Sequence, residues 1–348
     1  MILPSSYGVL LTILILGMFA WGAWANTLKA TAGKWRFELY CFDFAIGLLL
    51  AAVVVALTWG NLGFDGFSFR DDLQLAGKRQ DLFAFVAGCV FNLGNMLLLG
   101  GLSLVGMSVA FPVALGFALV VGVCWNFALS PGGNPALLFT GAAAALGGVV
   151  AAILAYRVYA AKQLQPVTQT GKAKSRKNTI SSKGVALALA GGLFLGSFSP
   201  LILLARSDEN GLGPYSSGFI FAVGVFFSTF VYNLFFMNLP AKGDPIDLGE
   251  YFRAPAQRHG MGVLGGILWY IGAIASLVAG RAEGGAKVQP SIVYILDQGG
   301  VIIAALCGLL IWNEFDADSK AKTWLALALV LLAIGIGIVS TASLAPAW

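Results

Sequence analysis

A few polar side chains stand in stretches that are otherwise apolar enough to cross a lipid bilayer, and these side chains could do chemistry. Asp43 lies between Phe42 and Phe44, and Asp297 lies beside Gln298. A carboxyl group at membrane depth costs about 2.5–3.5 kcal/mol on insertion scales, so it must face the protein interior or a wet cavity. Because desolvation favours the neutral form of a carboxyl group, either aspartate could accept and release a coupling proton. The alternatives are an interfacial carboxylate at position 43 and a structural hydrogen bond at position 297.

Amides and aromatic rings in the same stretches could hold a solute. Asn92 and Asn95 stand three residues apart, close to one face of a helix, and an amide can both donate to and accept from a solute. Trp21 and Trp24 have the same spacing and could stack on a planar or sugar-like solute. Hydrogen bonding between helices and anchoring at the membrane interface are the respective alternatives. Further candidates for solute contact are Asn26, Phe198, Ser199, Tyr270, Tyr294 and Gln298.

Other kinds of chemistry lack a complete set of residues in the sequence. The sole histidine, His259, has no partner at zinc-ligand spacing, and there is no G-x-x-x-x-G-K-[ST] phosphate loop. The four cysteines lie in apolar stretches without metal-ligand spacing, so we expect them to be buried small side chains. We therefore predict neither a metal nor a cofactor, and we rank an intramembrane enzyme and a channel below a carrier.

Membrane-spanning helices are the elements that must position these residues. Of the 348 residues, 58% are hydrophobic and 11% are charged, against about 25% charged in an ordinary soluble domain. A bilayer core about 30 Å thick needs roughly 20 apolar residues as a helix. The stretches that satisfy this are 7–27, 38–60, 82–103, 106–129, 135–158, 184–205, 217–239, 259–280, 288–312 and 322–343. The sequence therefore predicts ten spans in contact with the lipid bilayer, of which the ninth is the most polar.

Basic residues are shared unevenly between the connections. Most Lys and Arg residues stand in the connections after spans one, five, seven and nine. By the positive-inside rule these connections face the cytoplasm, so we expect both termini on the outer side of the cell (inner) membrane. The net charge of +5 is then a topology signal, and no nucleic-acid partner is predicted.

The chain divides near its middle into two halves of five spans. A basic polar connection at 162–183 is expected to be a flexible cytoplasmic linker between an N-terminal repeat, 1–161, and a C-terminal repeat, 184–348. Residues 22–26 and 196–200 both run glycine, small, aromatic, small and then a helix-perturbing residue, although chance similarity between apolar helices is the alternative. Five spans per half is an odd number. We therefore predict an all-α integral membrane fold of two inverted five-helix repeats, with a solute site near the midplane between them.

Several segments resemble the ureide permease family of the drug/metabolite transporter superfamily. The similar segments are 20–29 (AWGAWANTLK), 34–40 (KWRFELY) with Asp43, 198–201 (FSPL), Gln298 and Glu314-Phe315. The first of these looks like the start of bacterial members. The similarity covers most of the chain and is strongest over its first 60 residues.

This resemblance implies a ten-helix secondary transporter. Plant members are associated with allantoin and related oxo-derivatives of purines and pyrimidines, moved with protons. Their central loop is described as carrying a phosphate-loop-like motif, which this chain lacks, and Gly299 and Gly300 replace the Leu-Pro expected after Gln298. The expectation is a proton-coupled importer of a small neutral polar solute that works by alternating access, as a monomer or a homodimer. The solute is a ureide or nucleobase-like compound such as allantoin or uracil, or alternatively a monosaccharide.

Overall fold

The computed structural model describes residues 1–31, 33–63, 67–129, 131–163, 182–207, 209–282, 284–315 and 318–342. These residues form thirteen α-helices and no β-strand. In chain order the helices are α1 (Tyr7–Ala23), α2 (Asn26–Ala30), α3 (Phe37–Leu57), α4 (Phe69–Leu75), α5 (Lys78–Val105), α6 (Met107–Leu129), α7 (Pro135–Gln163), α8 (Ser182–Arg206), α9 (Pro214–Asn238), α10 (Gly249–Arg253), α11 (Ala256–Ala279), α12 (Pro290–Leu306) and α13 (Ser319–Ala342). A 3-10 turn (Gly284–Ala286) precedes α12, and a π-helical turn (Cys307–Ile311) follows it.

The predicted all-α multi-pass membrane protein is confirmed. Nine helices of the described chain are long and apolar enough to cross a membrane, and α1 is a shorter apolar helix. Together they correspond to the ten predicted spans. The first span is shorter than predicted, because α1 ends at Ala23 and Asn26 begins a separate helix. At this break the Asn26 side-chain amide donates to the Ala23 carbonyl at 2.9 Å.

Local sequence signals set several helix ends. Proline occupies the first turn of α9 and of α12, where its missing N–H has no helical partner to lose. Ser68 and Asp71 form a reciprocal capping box at the start of α4. Gly106 alone separates α5 from α6, and its φ of 85° is a left-handed conformation that glycine adopts without a steric penalty.

The helix connections lie on two opposite faces. The Met1 face carries the start of the chain, where the Met1 ammonium donates to the Phe67 carbonyl at 2.6 Å. The linker face carries residues Gln163 and Ser182, which flank the predicted linker, as well as Gly106. Most of that linker, 164–181, lies outside the described residues. Which face is the outer one stays a prediction from the basic residues.

Glycines bring the two halves of the chain into close contact. α5 packs along α8, and a Cβ added to Gly94 would lie 3.0 Å from the Gly191 carbonyl oxygen. Between α3 and α11, a Cβ on Gly47 or Gly266 would overlap the facing backbone. Close packing of this kind holds helices together in lipid, where no hydrophobic driving force acts between them. This close packing holds α3 and α5 against helices of the second half. A space remains between the two halves.

Candidate functional site

A cavity of about 530 Å³ lies between the two halves of the chain. Its volume falls in the range of small-molecule sites. It extends to the connection between α6 and α7 on the Met1 face, where Gly132 and Gly133 line it. Trp24 and Phe111 line its inner end, and none of the described residues of the linker face borders it. In this conformation a solute could therefore reach the cavity from one side of the protein only.

Eight of the twelve predicted site residues line this cavity. They are Trp21, Trp24, Asn95, Phe198, Ser199, Tyr294, Asp297 and Gln298. They belong to α1 and its C-cap, α5, α8 and α12, so the fold brings together residues far apart in the chain. Asn26, Asp43, Asn92 and Tyr270 do not line the cavity. The roles of all twelve stay predictions.

One side of the cavity is an aromatic wall of five rings from five helices: Trp21, Phe91, Phe198, Phe221 and Trp269. The Trp269 ring centroid lies 4.1 Å from that of Phe91 and 5.5 Å from that of Phe221, which is nearly parallel to it at 12°. The Phe198 centroid lies 5.4 Å from that of Phe91. Phe91, Phe221 and Trp269 are buried against one another, whereas Trp21 and Phe198 are partly exposed and could take a planar ring by offset stacking.

The position of Trp21 in this wall is fixed by α11. Its indole N–H donates to the Trp269 carbonyl at 3.0 Å. Gly272 leaves the space for the indole, since a Cβ there would lie 2.5 Å from the Trp21 Cδ1 atom. The hydrogen bond therefore sets the orientation of the ring, and the ring packs so close to α11 that only glycine fits at position 272.

The two amides of α5 have different surroundings. The Asn92 side-chain nitrogen lies 3.1 Å from the Val225 carbonyl and 2.9 Å from both Ser228 Oγ and Thr229 Oγ1, so this amide joins α5 to α9. Asn95, one turn later, borders the cavity and is fully buried, and neither atom of its amide has a hydrogen-bond partner among the described residues. A buried group without a partner costs about 1–3 kcal/mol. The Asn95 amide is thus an unpaired donor and acceptor beside the cavity, with no exposed surface in this conformation.

Asp297 places a carboxyl group on the cavity surface. Its Oδ2 atom accepts a hydrogen bond of 2.6 Å from Ser276 Oγ of α11, and both residues line the cavity. Gln298 follows it and Tyr294 precedes it by about one turn on α12. The carboxyl group therefore stands beside polar side chains in a setting that is otherwise mostly aromatic and aliphatic.

Asp43 lies in a separate cluster near the linker face. Its Oδ1 atom accepts a hydrogen bond of 2.6 Å from the Tyr251 hydroxyl and lies 2.9 Å from His259 Nδ1, and Trp35 Nε1 lies 3.3 Å from Oδ2. Burial and the adjacent carboxylate raise the pKa of Tyr251, so its phenol keeps the proton that it donates. These bonds fasten α10 and the start of α11 to α3, away from the cavity.

Asn26 and Tyr270 also have surroundings outside the cavity. The Asn26 Oδ1 atom accepts a hydrogen bond of 2.7 Å from Trp312 Nε1 near the linker face. Tyr270 is buried between α11 and α9, and its hydroxyl is so close to Gly218 that an added Cβ there would lie 2.7 Å from it. Both side chains are therefore directed at neighbouring helices.

Three proteins named as ureide permeases can be aligned with this chain over nearly its full length. The family model described as Ureide permease matches residues 40–183. Ureide permease 1 and Ureide permease 2 of Arabidopsis thaliana are 24% and 25% identical to it; these alignments cover 92% and 93% of the chain and 93% and 94% of those proteins. Probable ureide permease A3 of Vigna unguiculata is 23% identical, over 93% of the chain and all of that protein. The chain is similar to the ureide permeases over most of its length. The resemblance predicted from the sequence is confirmed.

A solved structure titled only "Crystal structure of protein" shares the fold of this chain. It superimposes with a TM-score of 0.51 over 96% of both chains, at 17% sequence identity. At that identity the likeness concerns the fold alone.

Sequence reasoning missed three rings of the aromatic wall: Phe91, Phe221 and Trp269. An aromatic residue in an apolar helix carries no sign of the direction it faces, and 25 Phe residues occur in the chain. The only available signal was the position of Phe91, one turn before the amide at Asn95.

Proposed function

We propose that the protein is a membrane transporter that carries a small planar polar solute through the central cavity, with a ureide or nucleobase-like compound as first candidate. One observation carries the proposal: the aromatic wall lies next to the unpaired amide of Asn95. Phe91 and Leu98 stand one turn before and after Asn95 and also line the cavity, so the amide lies on the cavity side of α5. A planar ring stacked on the wall could present a carbonyl and an N–H to that amide.

The names of the relatives support the same solute class, since three of them are ureide permeases. Allantoin and uracil both carry a carbonyl next to an N–H on a compact ring. A monosaccharide is the second candidate, because tryptophan faces also stack on sugars and hydroxyl groups can satisfy an amide. The protein would be an intramembrane enzyme only if the compound that binds in the cavity were released chemically changed.

Helix contacts support the predicted pair of inverted repeats. α5 packs on α8 as α11 packs on α1, and α6 packs on α8 as α12 packs on α1. Likewise α5 packs on α9 as α11 packs on α3. Each of these contacts has a counterpart in which the two halves are exchanged, as two-fold related repeats would produce. Alternating access in such folds comes from rocking one repeat against the other around a fixed site.

Proton coupling is the proposed energy source, and Asp297 is the favoured acceptor. It borders the cavity, so its charge state can respond to a bound solute. Asp43 is the second candidate, but its bonds to Tyr251 and His259 place it in a contact between helices. As part of the same proposal, the Met1 face is the outer side of the cell (inner) membrane. Described residues of one chain line the cavity, so a monomer suffices for transport, and a homodimer is the alternative.

A ligand-dependent thermal shift of the purified protein tests this function. Allantoin, uracil and a set of monosaccharides are compared at equal concentrations, because a ligand that binds the folded state alone raises its stability by mass action. The proposal expects stabilisation by the cyclic amides and recovery of the unchanged compound afterwards. Stabilisation by a sugar alone would transfer the assignment to the second candidate, and a chemically altered compound would indicate an enzyme.

A further inference from the structure

We propose that Lys29 and Glu314 form an ion-paired gate that closes the solute cavity on the linker face, with the π-helical turn Cys307–Ile311 as its hinge. The inference rests on the alternating access proposed above. It assigns a function to two charged residues that the solute site does not use.

Glu314 ties three segments together with one carboxylate. It pairs with the Lys29 ammonium, and it accepts backbone hydrogen bonds from Met107 (2.9 Å) and Ser108 (2.7 Å) at the start of α6. The first N–H groups of a helix have no partner within the helix, and the helix dipole favours a negative charge there. Burial opposes the charge of this carboxyl group, but Lys29 and the two N–H groups hold the pKa of Glu314 below its usual range. The carboxylate is therefore charged at neutral pH.

The ion pair stands directly behind the inner end of the cavity. Trp24 and Phe111 line that end, Lys29 follows Trp24 by five residues, and Ser108 precedes Phe111 by three. Ser108 and Phe111 belong to the same helix, so at 1.5 Å of rise per helical residue the carboxylate bound at Ser108 lies about one turn beyond the cavity. The side chains of Lys29 and Glu314 are 21% and 14% exposed, so solvent on the linker face reaches the pair and the pair separates that solvent from the cavity.

The segment that carries Glu314 is held in a strained conformation. Phe315, directly after it, has a φ of 66°, in the left-handed region that bulky side chains rarely adopt, and Asn313, directly before it, has a φ of 49°, which asparagine tolerates more easily. Such strain persists only where the surroundings enforce it. Here Trp312 donates to Asn26 at 2.7 Å, and the Phe315 ring packs 4.5 Å from that of Tyr159.

The strained segment follows a natural point of bending. The π-helical turn immediately precedes it, and turns of this kind occur frequently at functional sites within helices. The Glu314 N–H donates to the Gly308 carbonyl inside that turn at 3.0 Å. Loss of the ion pair would allow the segment to relax and the end of α12 to move away from α6, which would open the cavity toward the linker face.

The test measures the accessibility of one cysteine on each side of the closure. Two reporters are made in a full-length background whose four native cysteines are replaced by alanine. Ser108→Cys stands at the gate and is fully buried, and Asn126→Cys stands in the cavity toward the Met1 face. Labelling by a charged, membrane-impermeant thiol reagent is followed over time in purified protein, without any solute. Glu314→Gln and Lys29→Met remove the charges and keep much of each side chain.

The gate predicts opposite changes at the two reporters. Glu314→Gln should raise the labelling rate of Ser108→Cys by about tenfold or more and lower that of Asn126→Cys, as expected for a shifted two-state equilibrium. Lys29→Met should act in the same direction but less, because the α6 backbone still holds Glu314. Lys162→Met is the matched control. Lys162 also forms an ion pair on the linker face, with Asp318 at 2.7 Å, but it does not border the cavity. It should change neither rate.

Other outcomes would overturn the gate. Unchanged rates in Glu314→Gln, faster labelling of both reporters, or an equal effect of Lys162→Met would show a merely structural ion pair. The result is separable from the proposed function, since no solute is used. Opposite rate changes in a protein that takes up no ureide would keep the gate and remove the solute assignment, whereas ureide uptake with unchanged rates would remove the gate alone.

Discussion

Replacing Asn95 by leucine should make the ligand-free protein more stable and a poorer transporter. Both atoms of the Asn95 amide are buried without a partner, and each such group costs about 1–3 kcal/mol. Leucine has nearly the same branched shape, and the adjoining cavity can accommodate its extra volume. The lower end of that range, taken for two groups, predicts a gain of about 2 kcal/mol, which raises Tm by a few degrees.

The same substitution at Asn92 should have the opposite effect on stability. The Asn92 amide has three partners on α9: the Val225 carbonyl and the hydroxyls of Ser228 and Thr229. The amide nitrogen has two N–H groups, so it makes two of these bonds at a time, and at about 0.6 kcal/mol for each hydrogen bond between helices in a membrane their loss costs about 1 kcal/mol. Asn92→Leu is thus a matched control on the same helix, one turn away, with a predicted change of opposite sign.

Thermal unfolding and solute binding, measured on the same preparations, check this pair of predictions. Asn95→Leu should lose solute binding by a factor of about 10² or more, since a site that hydrogen-bonds a polar group discriminates strongly when one partner is missing. Its Tm without solute should exceed that of the parent. A lower Tm together with undiminished binding would refute the reasoning, because it would mean that the Asn95 amide has a structural partner and no ligand.

Four further substitutions test other parts of the account. Gly272→Val should displace the Trp21 indole, whose Cδ1 atom would lie 2.5 Å from an added Cβ, and weaken solute binding about tenfold or more; unchanged binding would remove Trp21 from the site. Asp297→Asn should keep solute binding but abolish the dependence of uptake on an imposed pH gradient, whereas Asp43→Asn should keep that dependence; the reverse pattern would exchange their roles. The stability difference between the parent and Glu314→Gln should be fully present above the ordinary carboxyl pKa of 4.5 and decline as pH falls through the lowered pKa of Glu314; a difference independent of pH between 7 and 3 would contradict that charge state.

The spans were predictable because each is a long apolar stretch, which is a local property of the sequence. The sequence marked Asn26 as helix-perturbing but did not show that the helix ends before it, where the Asn26 side chain donates to the Ala23 carbonyl and accepts from Trp312, far along the chain. The predicted ninth span, 288–312, changes to a π-helical turn at Cys307. Shortly after this turn, the Glu314 carboxylate accepts hydrogen bonds from the start of α6. No local sequence pattern predicts that contact.

The candidate site was predictable as a set of residue types but not as a set of directions. Asn92 and Asn95 carry the same side chain and stand on adjacent turns of α5. The hydroxyl partners of Asn92, however, lie 136 and 137 residues away in the chain. Only the packing of α5 on α9 shows which amide is satisfied. Likewise Lys29 and Glu314 are separated by 285 residues, so their pairing appears only when both halves are folded together.

Uptake of radiolabelled allantoin by proteoliposomes tests the central claim most directly. The account predicts accumulation that requires an imposed proton gradient, that excess unlabelled uracil or allantoin reduces and excess glucose does not, and that Asn95→Leu abolishes. The labelled compound should be recovered chemically unchanged from the vesicle interior. Vesicles that accumulate no cyclic amide under any gradient, while accumulating a monosaccharide, would contradict the account.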